Sequence, residues 1–227
     1  SDALIWRGLD EYLATHRYVR PAWRPQEVAG QPSLSCPDAC GFCGRHEQHL
    51  CLPIVEITSR CDLACPICMV GAGSDSAMSL DEFRAVLDGL VPAEGQIDVL
   101  NISGGEPLLH PELLDFLDEA LAHPQIVRVS VSTNGLRLLE EPRLVSELRS
   151  RDVVVSLQFD GFRDSIYELL RGRQLLAEKL RILELLGDAD VSTSLTMTAA
   201  GGVNDDQFGE MLDLLFSREH IVSMMVQ

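Results

Sequence analysis

The chain has 227 residues, enough for one domain of ordinary size with a core of its own. Hydrophobic residues make up 46% and charged residues 23%, a balance that excludes a disordered chain. The formal net charge of -17, from 35 Asp+Glu against 18 Lys+Arg, repels nucleic-acid phosphate and anionic lipid, so neither is expected as a partner. No apolar run approaches the ~20 residues of a membrane span and the start carries no basic-then-apolar leader pattern, so a cytoplasmic location is expected.

In chain order, residues 1–51 come first as a separate segment. It opens with an amphipathic stretch, "DALIWRGLDEYLATH", read as a helix, followed by the Pro-interrupted "RPAWRPQEVAGQP". The run "CPDACGFCGRHEQHLC" then supplies Cys36, Cys40, Cys43 and Cys51. Four thiols complete a closed metal site, so this knuckle reads as structural or electron-relaying, with 4Fe–4S, a single iron and zinc all chemically open. All seven cysteines lie between Cys36 and Cys68, which is a poor disulfide framework and a good set of metal ligands.

From residue 52 to residue 227 a second rhythm holds, with strand-like runs alternating with helical ones. The strands are "PIVEIT" (53–58), "IDVLNIS" (97–103), "VRVSVST" (127–133), "VVVSLQF" (153–159), "VSTSLTMT" (191–198) and "IVSMMV" (221–226). Between them, Ser79 and Glu82 form an S-x-x-E capping box before "FRAVLDGL". "PELLDFLDEALA" opens with Pro111 at an expected first-turn position, and "PRLVSELRS", "LLAEKLRILELLG" and "DDQFGEMLDLLF" follow. Such alternation implies parallel strands joined by right-handed crossovers. The expected fold is α/β: a partial (β/α)6 TIM-like barrel with an N-terminal cysteine-rich metal-binding segment, a flat doubly wound sheet being the alternative. The barrel is favoured because polar, Gly-rich sequences follow five strands, where barrel chemistry sits. A sheet stopping at its sixth strand would leave an open edge, so a missing C-terminal part is expected.

The chemistry concentrates in "SRCDLACPICMV", with Cys61, Cys65 and Cys68 in a C-x3-C-x2-C run. Three thiolates leave one corner of a metal site open, where a structural zinc site would want a fourth ligand. A zinc knuckle borrowing its fourth ligand from elsewhere is the plainer alternative. The second strand ends in "SGGEP", where Gly104 and Gly105 permit close backbone approach ahead of Glu106 and Pro107, although an ordinary turn would look the same. The third ends in "SVSTNG", with Ser132 and Asn134, and Asn-Gly is also a favoured turn pair. "SLQFDG" puts Gln158 and Asp160 on one face of the fourth strand by alternation. "TMTAAGGVND" offers Thr198, Gly202 and Asn204. Arg171 and Arg173 are the cations best placed to meet a carboxylate or phosphate, a solvated surface position being equally open for both.

The three-cysteine spacing followed by GGEP resembles that of the radical S-adenosylmethionine (radical SAM) enzymes. That resemblance implies a 4Fe–4S cube held by Cys61, Cys65 and Cys68, whose fourth iron chelates SAM. It further implies contacts to SAM from Gly104, Gly105, Glu106 and Pro107, from Ser132 and Asn134, from Gln158, and from Thr198, Gly202 and Asn204. An electron supplied by a reductase such as a flavodoxin or ferredoxin would give the 5′-deoxyadenosyl radical, and with such a neighbour the second metal is expected to be iron rather than zinc. The knuckle placed directly before "VEITSRCDLACPIC", together with "LQFDG", "RGRQLLAEKL" and "GVND", resembles the branch of tetraether lipid synthases and 7,8-dihydro-6-hydroxymethylpterin dimethyltransferases. It implies functionalisation of an unactivated carbon, by C–C bond formation or methylation, on a small-molecule or lipid substrate. A non-catalytic iron–sulfur electron carrier and a zinc-stabilised binding module are the competing functions, and neither needs the polar strand ends.

Overall fold

The computed structural model describes residues 26, 50, 52–68 and 75–227. Its contacts divide the chain into two units, Ser1–His49 and Leu50–Gln227. The expected N-terminal helix and all four knuckle cysteines, Cys36, Cys40, Cys43 and Cys51, lie outside the described residues.

The second unit is built on six parallel strands: β1 (Ile54–Thr58), β2 (Leu100–Gly104), β3 (Val129–Thr133), β4 (Val154–Gln158), β5 (Thr193–Met197) and β6 (Ile221–Val226). Their order in the sheet is the order in the chain, β1 through β6. A doubly wound sheet reverses strand order at its switch point, and this one does not. With every crossover of the usual hand, successive additions on one side place all the helices on one face and curl the other inward. The sheet is therefore the partial (β/α)6 barrel expected from the strand rhythm.

The helices are α1 (Leu80–Glu94), α2 (Leu113–Leu121), α3 (Leu136–Glu140), α4 (Arg143–Ser150), α5 (Asp164–Arg171), α6 (Leu176–Asp188) and α7 (Phe208–Ser217). The capping box forms as its spacing predicts: Ser79 Oγ accepts from the Glu82 amide and Glu82 Oε2 accepts from the Ser79 amide at 2.7 Å. Pro111 lies ahead of α2, whose first residue is Leu113, so it leads into the helix instead of opening it.

Alternation gives β2 to β5 one apolar and one largely polar face. Val55, Ile57, Leu100, Ile102, Val129, Val131, Val155, Leu157, Leu195 and Met197 are buried, and so are Phe83, Leu87, Phe116, Leu148, Ile166, Leu186 and Met211 on the helices. Phe83 and Phe116 meet edge to face with centroids 4.8 Å apart, joining α1 to α2. The opposite face of β2 to β5 carries Asn101, Ser103, Ser130, Ser132, Ser156, Gln158, Ser194 and Thr196, with Val154 the apolar exception. These groups bond across strands: Ser130 Oγ to Asn101 Oδ1 at 3.0 Å, Asn101 Nδ2 to Ser132 Oγ at 2.9 Å, and Ser156 with Thr196 at 3.0 Å. A barrel interior packed for stability is filled with Val, Ile and Leu. This concave face gives up that apolar burial, roughly 1.5–3 kcal/mol per large side chain, for a wall of hydroxyls.

Candidate functional site

The site gathers at the C-terminal ends of β1 to β5. The chain leaves β1 at Thr58 and runs into the three-cysteine loop, while β2 ends beside it in Gly104-Gly105-Glu106. Gly105 N donates to Thr58 O and Glu106 N to Arg60 O, both at 2.7 Å. The glycines are a steric requirement here: a Cβ on Gly104 would stand 2.2 Å from Thr58 O, and one on Gly105 2.2 Å from Arg60 O. The GGEP segment is thus the seat on which the cysteine loop rests.

Glu106 is fully buried and ties this seat to β3. Its Oε1 accepts from Leu108 N at 3.0 Å and Thr133 Oγ1 at 2.7 Å, and its Oε2 accepts from Asn134 N at 2.8 Å. Burial pushes its carboxyl up to about 7, against the pull of those three donors. Asn134 closes the ring, Nδ2 donating to Asp62 Oδ1 at 2.6 Å while Oδ1 accepts from Leu136 N at 2.8 Å. Asp62 sits between Cys61 and Cys65, so β2, β3 and the cysteine loop are locked to one another through side chains.

The ends of β4 and β5 form a second network. Asp160 has no exposure, and its carboxylate accepts Arg171 Nε at 2.7 Å and Arg171 Nη2 at 2.8 Å. The same carboxylate accepts Thr198 N at 3.1 Å and the Gln158 amide, and Arg171 Nη2 also donates to Thr198 Oγ1 at 2.9 Å. Arg171 is therefore an internal cation, 11% exposed, whereas Arg173 is on the surface beside Glu178. Asn204 braces the β5 loop from inside, its Nδ2 donating to Asp160 O and to Thr198 O at 2.9 Å each and its Oδ1 accepting from Ala200 N. Gly202 stands apart at the exposed tip of that loop, and Ser132 is held on the concave wall by Asn101. Pro107 is buried at the start of a short 3₁₀ turn that follows Glu106.

Lys179 is the residue that motif reading passed over. It projects from α6 into the same network, fully buried, with Nζ donating to Asn134 O and to Gln158 Oε1 at 2.7 Å. Its signal was present in the sequence, since it interrupts the apolar stripe Leu175–Ile182–Leu186 at helical spacing. Burial holds its ammonium down to about 7.

The three cysteines carry free thiols; Cys61 and Cys68 are exposed and Cys65 is half-buried. Leu63 and Cys65 pack with Tyr167 and Leu175, so the loop has an apolar underside resting on α5 and its exit. The Cys61 sulfur is partly shielded although the residue as a whole is exposed, and this pushes its thiol up to about 11. A metal cation is what would deprotonate it. Among the described residues no three His, Cys, Asp or Glu side chains converge on one ion-sized point. Soft sulfur donors of this kind suit an iron–sulfur cluster or zinc.

Comparison with known proteins identifies the family of the chain. Residues 55–215 match the radical SAM superfamily, and the chain belongs to it. It is 28% identical over 181 residues to the 7,8-dihydro-6-hydroxymethylpterin dimethyltransferase of Methanocaldococcus jannaschii, covering 78% of this chain and 36% of that protein. It is 32% identical over 164 residues to the mycofactocin maturase MftC of Mycobacterium ulcerans, covering 70% of this chain and 43% of the relative. The crystal structure of Streptococcus suis SuiB bound to S-adenosylmethionine superposes with a TM-score of 0.63 at 15% identity, over 78% of this chain and 40% of that one. The chain thus spans less than half the length of each of these relatives. Membership implies a 4Fe–4S cluster and SAM binding. Among the described residues no helix is long and apolar enough to cross a membrane.

Proposed function

We propose that this chain carries the core of a radical SAM enzyme that functionalises an unactivated carbon, by C–C bond formation or methylation. Cys61, Cys65 and Cys68 would hold the 4Fe–4S cluster. Bound there and reduced by a flavodoxin- or ferredoxin-type partner, the cluster supplies the electron that cleaves SAM to methionine and the 5′-deoxyadenosyl radical. Gly104, Gly105, Glu106 and Pro107 would bound the SAM site on one side, Ser132, Asn134 and Gln158 on the next. Thr198, Gly202 and Asn204 would close it at β5. The observation that carries this reading is the side-chain ring of Glu106, Asn134 and Asp62, which binds the cysteine loop to the ends of β2 and β3 as one unit.

The chain's residues do three things for such a reaction. Glu106 and Asn134 fix the loop, the buried Asp160–Arg171 pair keeps the far side rigid, and the hydroxyl wall offers hydrogen bonds to whatever lies over it. That wall favours a small polar substrate, such as a pterin or a peptide segment, over an acyl chain, which would leave those hydroxyls without water. Cys36, Cys40, Cys43 and Cys51 would hold a second metal centre, iron in preference to zinc.

The test is anaerobic reconstitution followed by dithionite and SAM. The reading expects four irons at the three-cysteine loop and release of 5′-deoxyadenosine with methionine, both abolished by Cys65→Ala. SAM left intact by a fully loaded protein would instead support an electron carrier, and a colourless, zinc-replete protein a binding module.

A further inference from the structure

Lys179 occupies a position where a charge is expensive. It falls in the apolar stripe of α6 with Leu175, Ile182 and Leu186, and its side chain is wholly shielded from solvent. Its hydrogen bonds go to neutral oxygens, Asn134 O and Gln158 Oε1. Beyond those two bonds, longer-range attraction from Asp160, Glu106 and Cys65 offsets part of the loss of hydration. For stability alone a Leu or Met would serve this stripe as well or better, because replacing a buried charge by an apolar side chain of similar volume is often neutral or favourable.

What the ammonium does accomplish is geometric. Asn134 O belongs to the turn after β3, and Gln158 is the last residue of β4, so one cation bridges the mouth ends of two adjacent strands. By occupying Gln158 Oε1 it also holds that amide, together with Asp160, in the orientation in which Nε2 donates to the Asp160 carboxylate. Asp160 in turn holds Arg171 and the amide of Thr198 at the end of β5. Removing the ammonium leaves both oxygens short of a donor and leaves the Gln158 amide held from the Asp160 side alone, without disturbing the apolar contacts of α6.

We propose that Lys179 is the positioning residue of this site, setting the spacing of the β3 and β4 ends and the orientation of Gln158 so that the mouth is shaped for SAM. The inference rests on the SAM-binding reading above. The hydrogen bonds of Lys179 reach no cysteine, and meet the concave wall only at Gln158; it acts through Asn134 and Gln158.

The experiment is a titration with SAM, by calorimetry under anaerobic conditions, of the reconstituted chain and of Lys179→Met, Lys179→Gln, Gln158→Leu and the Lys179→Met/Gln158→Leu double variant. Iron content and melting temperature are measured on each. Lys179→Met is expected to keep its iron and its melting temperature within a few degrees while losing at least tenfold in SAM affinity. Gln158→Leu is expected to cost less in the Lys179→Met background than alone, the non-additivity of groups that act as a unit. Lys179→Met binding SAM like the parent chain overturns the inference while leaving the SAM reading intact, as do losses that simply multiply. Failure of both Lys179→Met and Lys179→Gln to fold assigns Lys179 to stability and overturns it too. A parent chain that binds no SAM overturns the underlying reading and this inference with it.

Discussion

Replacing Gly105 by alanine tests the contact between GGEP and the cysteine loop. The added methyl would stand 2.2 Å from Arg60 O, 2.7 Å from Arg60 C and 2.8 Å from Ser59 O, all backbone atoms with no rotamer to give. Relief needs a separation of about 1 Å between the two segments. That is enough to break the Gly105 N to Thr58 O and Glu106 N to Arg60 O bonds, both 2.7 Å long. Two backbone bonds at about 1 kcal/mol each, with their buried groups left short of partners, put the cost on the order of 2–4 kcal/mol. The loss falls on the loop that carries Cys61, so iron retained per chain should drop along with the urea midpoint. Gly89→Ala is the control: in α1 nothing lies within 4 Å of its added Cβ, and it should stabilise by about 0.5–1 kcal/mol. A Gly105→Ala protein with parental stability and full iron would refute the steric reasoning.

Asp160→Asn leaves the Arg171 guanidinium, 11% exposed, without its counter-charge and should cost about 3–5 kcal/mol in chemical denaturation. Glu106 should write itself into the pH dependence of stability. Below about pH 4.5 its carboxyl is protonated in folded and unfolded chains alike; between 4.5 and 7 only the unfolded chain has released the proton, so stability falls as pH rises. Above about pH 7 the loss levels off near 3 kcal/mol, and the difference in unfolding free energy between parent and Glu106→Gln, which cannot titrate, should trace that step. A flat difference across pH 4 to 8 would remove Glu106 from that role. Ser79→Ala should cost about 1 kcal/mol by opening the capping box, with SAM cleavage unchanged.

Much of the barrel was legible because hydrophobic alternation and helical periodicity are local. Each strand lies within the run that β-patterned residues marked out, except that β2 runs one residue further to Gly104, and Ser79 with Glu82 signalled the start of α1 through a bond spanning three residues. The short α5 was not marked, since Arg163 at its N-cap offers no side-chain cap bond and eight residues carry little periodic signal. The cysteine spacing and GGEP announced the chemistry, but not that Glu106 spends its carboxylate on Thr133 and Asn134. That pairing depends on how the strands stack, as does the meeting of Asp160 with Arg171. Lys179 went unseen because a lysine in a helix normally faces water, and only its place in the stripe spoke otherwise. The hydroxyl wall was spelled out in alternate residues of β2 to β5, yet its meaning emerged only when register set those residues side by side.

The most direct test of the site is an anaerobic crystal structure with SAM. It should show a four-iron cube on Cys61, Cys65 and Cys68, with SAM on the remaining iron and lying along the ends of β2 to β5. A fourth protein ligand on that iron, or SAM bound away from those strand ends, would contradict it.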